Sequence, residues 1–558
     1  MSAERQSLAE VKAAHNHPTY AVMSFVMGCG VQGAGAGSHV ADEAGGELLA
    51  LFDQYGNQSF GYSHERVLAA IREQLDSGRL NSTKIMFERE SIRLTERLAE
   101  LTDGALPFAY LANGGGESID NALKLARAAT GRSGFVTAAN CFHGKTFAAL
   151  SASGRPEHAA LFAPFLPGFV QVPFGDVAAM AAAVGPDTAA VLLEPVQAEA
   201  GVIVPDPGYL RAVREICDAA GALLILDEMQ TAFGRCGTFF AYQSYGVTPD
   251  LMCLGKAFGG GVVPLSAVLG TEAVWGSLRE LPSTFGSSLG GNPLCARVGL
   301  EAIAIAGDPA FLAGVRVKGA VIETRLRELA ARFPDLIRAH RGVGMMHGLE
   351  FHDESLGGLV LGLLLENRVT STYSLYNNSV LRVQPPMVIS AADLDRGLDI
   401  LAAVLAEVDR VRADAGSSPV VVETEVPHPA AAVLDALRER PHLLDPFAHD
   451  PRAVGPEFAG AIGARRVVWA DETTSTGDGV VSRAVPGWLW RRLDRAVSVV
   501  PSGPDSCRVS IRVAWDAGTG AYEGLLGGWL GHVVHRTLRR LLADLPTAPH
   551  PAPEPQRT

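Results

Sequence analysis

Between about Leu51 and Leu269, short apolar runs alternate with segments of helical period, and this constrains the chain more than any other feature. "DTAAVLLEP" reads as a strand ending at Glu194. "GYLRAVREICDAAG" then places Leu210, Val213, Ile216 and Cys217 on one helical face, and "ALLILDE" is the next strand, ending at Asp227. Apolar strands joined by helical crossovers form a mostly parallel sheet. Such a sheet brings both carboxylates to its C-terminal edge, where open α/β sheets bind ligands. Two acids at buried strand ends need a chemical reason.

With 558 residues the chain is too long for one ordinary core, so at least two domains are expected. A second segment, about 309–415, mixes helices ("FLAGVRVKGAVIETRLRELAARF") with short strands ("GMMHGLEF", "VLRVQPPMVI") and reads as a smaller α+β lobe. The formal net charge of −13, with no clustered Lys or Arg, argues against nucleic-acid and anionic-membrane partners. Seven scattered cysteines, none spaced as CxxC, fit reduced thiols, and no signal peptide or membrane-length apolar run is evident. A cytoplasmic location is the expectation.

The chemistry concentrates in "PDLMCLGKAFGGG", Pro249 to Gly261, where Lys256 stands between a buried strand and a glycine run. An amine surrounded by apolar groups loses hydration, so its pKa falls and it becomes a nucleophile. Asp227, 29 positions earlier, can pair with a cationic ring nitrogen. A lysine imine plus an acid for a pyridinium is the pairing that pyridoxal phosphate requires. Glycines 114–116, followed by a helix with Ile119, Ala122, Leu123 and Ala126 on one face, offer backbone N–H groups to a phosphate. Read singly, each feature has a plain alternative: a snorkelling lysine, a structural ion pair, a simple turn.

"LLILDEMQTAFGRCGTFFAYQSYGVTPDLMCLGKAFGGG" closely resembles the signature of class III (omega) aminotransferases, which are fold type I pyridoxal-phosphate enzymes. The resemblance covers roughly residues 40–410. "EPVQAEAGVIVPDPGYL" is similar to ornithine aminotransferases, and "FHGKTFAALSASGR" to putrescine aminotransferases. It implies a large domain at about 51–308 and a small one built from 1–50 and 309–415. It makes Lys256 the Schiff-base lysine and proton shuttle, and Asp227 the partner of the ring nitrogen. Gln230 would lie near the phenolic oxygen, Phe142 on the ring with His143 beside it, and Gly115 and Gly116 against the phosphate. Family members usually carry a hydroxyl residue where Gly116 stands. A phosphate-binding hydroxyl contributed by the neighbouring subunit matches Ser288, or Thr284 if an insertion is allowed, and implies a homodimer with composite active sites. Arg382 matches the arginine that grips a substrate carboxylate, Glu199 the acid that pairs with it, and Tyr55 a pocket-lining position.

The implied reaction moves an amino group between a terminal amine or ω-amino acid and a 2-oxo acid in two ping-pong halves. The same scaffold also runs racemase, aminomutase and decarboxylative condensation chemistry, so these readings stay open.

After a linker at 416–418, residues 419–545 resemble by layout the helix-grip of START-like (SRPBCC, polyketide cyclase) domains. "PVVVETEVP" reads as a strand, "PAAAVLDALRE" as a helix, several strand patterns follow, and a long amphipathic helix closes the domain. The resemblance implies a cavity that binds or cyclises a hydrophobic product, or a binding protein with a non-catalytic first domain. Trp469, Trp488, Trp490 and Trp515 are candidate cavity or core residues. His532 and His535 lack a third ligand, and no metal site is expected. The tail 546–558 is Pro-rich and expected to stay unfolded.

Overall fold

The computed structural model describes parts of 8–16, then 31–411 except 44–45, 83–84, 154–160 and 277–285, and six further strands between 420 and 516. By compactness the chain divides into two units, one of 32–351 with 368–402, the other of 1–31, 352–367 and 403–558.

The first unit is organised by a seven-stranded sheet in the order Phe108–Ala112, Ser266–Gly270, Leu251–Leu254, Leu223–Asp227, Thr188–Leu193, Gly134–Ala138 and Phe169–Val172. Only Ser266–Gly270 runs against the others. Thr188–Leu193 and Leu251–Leu254, which flank the central strand, are buried at every position, which is why they read as unbroken apolar runs rather than alternating ones. Helices Gly115–Thr130 and Tyr209–Ala220 supply crossovers. The first turns Ile119, Ala122, Leu123 and Ala126 inward, as its periodicity predicts, onto Ile225, Leu251, Cys253 and Val268. Burying each large aliphatic side chain of this layer is worth about 1.5–3 kcal/mol.

A four-stranded antiparallel sheet of Ile337–Val343, Met346–Phe351, Asn377–Val383 and Thr372–Ser374 forms a second layer of this unit. The expected helix at its start spans Pro309–Arg332. Another small sheet joins Gln32–Ala36, His39–Asp42, Glu47–Ala50 and Val369–Thr370. Among the described residues, no single helix is long and apolar enough to cross a membrane. Among the described residues, Cys141, Cys217, Cys236, Cys253 and Cys295 form no disulfide.

The second unit contains a six-stranded antiparallel sheet in the order Val420–Val426, Ser506–Asp516, Arg492–Gly503, Gly479–Ala484, Arg465–Thr476 and Ala459–Ile462. Its first strand lies beside its last, and the rest follow as a meander. The expected linker, the helix "PAAAVLDALRE", the closing helix with His532 and His535, Trp488, Trp490 and the tail lie outside the described residues.

Candidate active site

The parallel strands deliver their C-terminal ends to one cavity of about 400 Å³. Phe108–Ala112 leads to Asn113 and Gly114–Gly116, Gly134–Ala138 to Phe142 and His143, and Thr188–Leu193 to Glu194 and Val196. Leu223–Asp227 ends at Asp227, with Met229 and Gln230 just beyond, and Leu251–Leu254 leads to Lys256; all these residues line the cavity.

Lys256 opens a short 3-10 turn after Gly255 and holds φ +48°, a left-handed conformation that a lysine adopts only when its surroundings impose it. Gly255 is required by contact: a Cβ there would stand 2.5 Å from Met229 Sδ. Burial lowers the Lys256 pKa, with Arg382 acting in the same direction and Glu199, Asp227 and Glu194 opposing. The amine is therefore biased toward its neutral, nucleophilic form.

Asp227 is 4 % exposed and His143 is 3 % exposed. His143 Nδ1–H donates to Asp227 Oδ2 at 2.8 Å, and Met229 N–H donates to Asp227 Oδ1 at 3.0 Å. Burial alone would push the imidazole pKa down, but Cys141 and Asp227 beside it raise it well above its ordinary value. Both oxygens of the Asp227 carboxylate are thereby held in place at the cavity wall. Glu194 receives Phe142 N–H at 3.0 Å and Ala198 N–H at 3.2 Å, and desolvation, reinforced by Asp227 and opposed by His143, raises its pKa to about 7.

Helix Gly115–Thr130 begins at Gly114 with no side-chain cap. Its first N–H groups remain open to an anion beside Gly115 and Gly116, both on the cavity wall. A Cβ at Gly116 would come within 2.9 Å of Thr146 Oγ1, so the turn accommodates glycine in place of a hydroxyl residue.

A buried polar chain runs outward from Gln230. Arg382 Nη2 donates to Gln230 Oε1 at 2.6 Å and to Gln384 Oε1, while Nη1 donates to Ala198 O at 3.1 Å and pairs with Glu199 Oε1 at 3.4 Å. Glu199 also accepts from Gln230 Nε2 at 3.1 Å and from Leu375 N–H at 2.9 Å. Gln384 Nε2 donates to Asp53 Oδ1 at 2.8 Å, and Asp53 Oδ2 pairs with Arg235 at 2.5 Å. Arg382, Asp53 and Arg235 are each fully buried.

Of the candidates from the sequence, Lys256, Asp227, Gly115, Gly116, Phe142, His143 and Gln230 surround the cavity, and Arg382 and Glu199 reach it through Gln230. Tyr55, at φ +60°, sets its ring edge-on to Phe52 at 4.8 Å and does not line the cavity of its own chain; nearby Asn57 does. Ser288 is exposed and also off this cavity, whereas Ser287 accepts from Asn113 Nδ2 at 2.9 Å. Thr284 lies outside the described residues. Val196, Met229 and the support from Gln384, Asp53 and Arg235 went unread. Glu194 was visible only as an acid at a strand end.

Residues 26–405 match the family model "Aminotransferase class-III". Over 366 residues the chain is 39% identical to a putrescine aminotransferase of Pectobacterium atrosepticum, covering 64% of this chain and 78% of that protein. The structure of an ornithine aminotransferase from Toxoplasma gondii ME49 superposes with a TM-score of 0.68 at 30% identity, covering 73% of this chain and 96% of that one. An acetylornithine aminotransferase from Elizabethkingia anophelis superposes at 0.62 with 26% identity, covering 72% and 99%. The fold and the site thus define a fold type I pyridoxal-phosphate enzyme. Within that class, the chain belongs to the class III aminotransferases.

The cofactor of this family is pyridoxal 5′-phosphate, and the residues present fit it. The uncapped glycine turn can take the phosphate, the His143–Asp227 pair a protonated ring nitrogen, and Phe142 and Val196 are apolar walls for the ring. His143 Nε2 is buried without a partner among the described residues, an acceptor or donor left for a ligand. When bound, the cofactor supplies an electron sink for charge developing on the substrate carbon.

Proposed function

We propose that the enzyme transfers the amino group of a terminal amine, such as a diamine or an ornithine-like ω-amino acid, to a 2-oxo acid. One observation carries the reading: Arg382, the cation suited to a carboxylate, is held by Glu199 and by Gln230, and Gln230 lines the cavity that contains Lys256. With Glu199 across it, the cation is neutralised, so a substrate end without a carboxylate meets no unpaired charge. When a 2-oxo acid enters, its carboxylate competes with Glu199 for the guanidinium, whose planar donors suit a bidentate contact.

Each side chain has a task in this reading. Nζ of Lys256, biased toward its neutral form by burial, takes the proton from the carbon that bears the substrate amine and returns it during the other half-reaction. Asp227, oriented by His143, holds the ring nitrogen protonated. Gln230 orients both the Arg382 guanidinium and the Glu199 carboxylate. Phe142 and Val196 exclude water from the reacting face. Exposed Ser288 supports a homodimer in which the partner's loop completes the phosphate site. Light scattering that gave only monomer for fully active enzyme would remove that part.

The discriminating experiment mixes purified, cofactor-loaded enzyme with putrescine, ornithine or glutamate one at a time and follows the cofactor spectrum, then adds 2-oxoglutarate. Spectral change with the terminal amines, reversed by the 2-oxo acid, is expected. Change with glutamate alone would limit the reading to an α-aminotransferase.

For the second unit we infer a START-like ligand-binding domain acting on a hydrophobic product. The support is a sheet whose first strand lies beside its last, as a strand, helix, meander and closing-helix layout requires. Trp469 and Trp515 fall on strands of this sheet. Deleting 419–558 should slow or redirect turnover of bulky apolar amines while sparing putrescine; equal loss or no loss for both would count against a binding role.

A further inference from the structure

Away from the active site, the helix Pro309–Arg332 meets the hairpin of Ile337–Val343 and Met346–Phe351 at very short range. A Cβ at Gly319 would stand 2.3 Å from Gly344 O, so glycine permits the approach. One helical turn later Glu323 faces the same hairpin. There, His340 Nε2 and His347 Nδ1 are 3.1 Å apart, and Glu323 Oε2 is 3.5 Å from each. The other carboxylate oxygen, Oε1, is taken by Arg327.

These three atoms have the spacing of a metal-ligand set. Ligands about 2.0–2.1 Å from a tetrahedral ion are about 3.3–3.4 Å from each other, and the observed edges bracket that value. The imidazole orientation agrees. His347 Nε2–H donates to Gly344 O at 2.8 Å, which leaves the Nδ1 lone pair facing Glu323 Oε2. A backbone carbonyl behind the ligating ring is the usual support of a metal-bound histidine. Without a cation, the His347 Nδ1 lone pair and a carboxylate oxygen face each other at 3.5 Å, and one proton on His340 Nε2 can bridge only one of them. Glu323 and His347 also line a cavity of about 380 Å³ with Thr238, Ser244 and Arg316, which leaves room for a water at a fourth position.

We propose that Glu323, His340 and His347 bind one divalent transition-metal ion of the zinc class, with a water as fourth ligand, and that the ion clamps the hairpin to the helix. Two histidines and one carboxylate suit such an ion better than magnesium or calcium. The hairpin turn also carries Met345, whose N–H donates to Arg235 O at 3.0 Å and whose carbonyl accepts from Arg235 Nη1 at 3.0 Å. The clamp therefore stiffens the turn against which Arg235 rests.

Cofactor-loaded full-length enzyme, stripped with a chelator, is titrated with Zn²⁺ by calorimetry and with Co²⁺ by visible absorption, alongside His340→Ala, His347→Ala and Glu323→Gln. One Zn²⁺ per chain is expected, with a tetrahedral Co²⁺ spectrum, a rise in Tm on metal addition, and affinity lowered at least about tenfold in each variant. The cofactor absorption of each variant reports whether it has folded. If His347→Ala does not fold, Glu323→Gln and the wild-type Co²⁺ spectrum decide. Absence of stoichiometric binding, an octahedral Co²⁺ spectrum, or binding of equal strength in folded variants would overturn the site.

Discussion

His143 and Asp227, 84 positions apart, meet through a 2.8 Å hydrogen bond in which both side chains are almost wholly buried. The imidazole holds its proton against burial because Cys141 and Asp227 stand beside it. Replacing Asp227 by Ala strands a buried cation, at a cost of about 3–5 kcal/mol. We expect a marked fall in Tm together with loss of the cofactor's visible absorption. Asp227→Asn keeps an acceptor for His143 and should preserve Tm far better while still abolishing turnover. Calorimetry and steady-state kinetics on both variants separate the structural from the chemical role.

Lys256→Ala removes the amine that the whole cavity surrounds. Turnover should fall by about 10²–10⁴-fold or more, the range for loss of a positioned proton-transfer group. The protein should still fold, since the side chain lines the cavity rather than the packed core. Borohydride reduction before digestion should fix the cofactor on the Lys256 peptide of the wild type, detected by mass spectrometry, and leave the corresponding peptide of the variant unlabelled. A variant that retained the adduct would refute the assignment.

Arg382→Ala and Glu199→Gln should divide the two half-reactions. Loss of a charge-assisted hydrogen bond costs about 1.5–3 kcal/mol, or roughly 10–150-fold. Arg382→Ala is expected to raise KM for the 2-oxo acid by that factor and to affect the terminal amine less. Glu199→Gln, which frees the guanidinium, should act in the opposite sense, weakening the terminal amine. Parallel changes for both substrates in both variants would exclude a switching role.

Gly255→Ala places a methyl group 2.5 Å from Met229 Sδ. Overpacking of this kind costs about 1–3 kcal/mol, and it would displace Lys256 next door. Adding Met229→Ala, which removes the obstructing sulfur, should recover part of the lost Tm. Failure of the second substitution to help would mean that the constraint lies in the backbone.

Glu194 and Glu228 should contribute a loss of stability as pH rises from about 4.5 to about 7, opposed over the lower part of this window by His347, whose pKa burial lowers to about 4. Desolvation raises Glu194 and Glu228 to about 7 each from an ordinary 4.5, so in this window the folded chain holds protons that the unfolded chain has released. His143, raised above its ordinary 6.5, extends the same slope to higher pH. Denaturant melts of the cofactor-free protein at several pH values should show this slope, flatter in Glu194→Gln. A slope unchanged in Glu194→Gln would contradict the assignment.

The sequence by itself determined the parallel sheet and the chemistry of its edge. Strand ends are local: Asp227 and Lys256 terminate apolar runs, and the glycines at 114–116 open a helix with an inward face, so short stretches disclose what stands there. It did not determine which side chains share a hydrogen bond. The Gln384–Asp53 contact joins residues 331 positions apart, and no periodicity connects "QPPM" to "LFDQ". His340 and His347 were unremarkable on two strands until the hairpin stacked them and Gly319 let a helix carry Glu323 alongside. Backbone pattern is set by hydrophobic period along the chain. Which polar atoms come within 3 Å of each other is set by packing across it, and only the tertiary structure decides that.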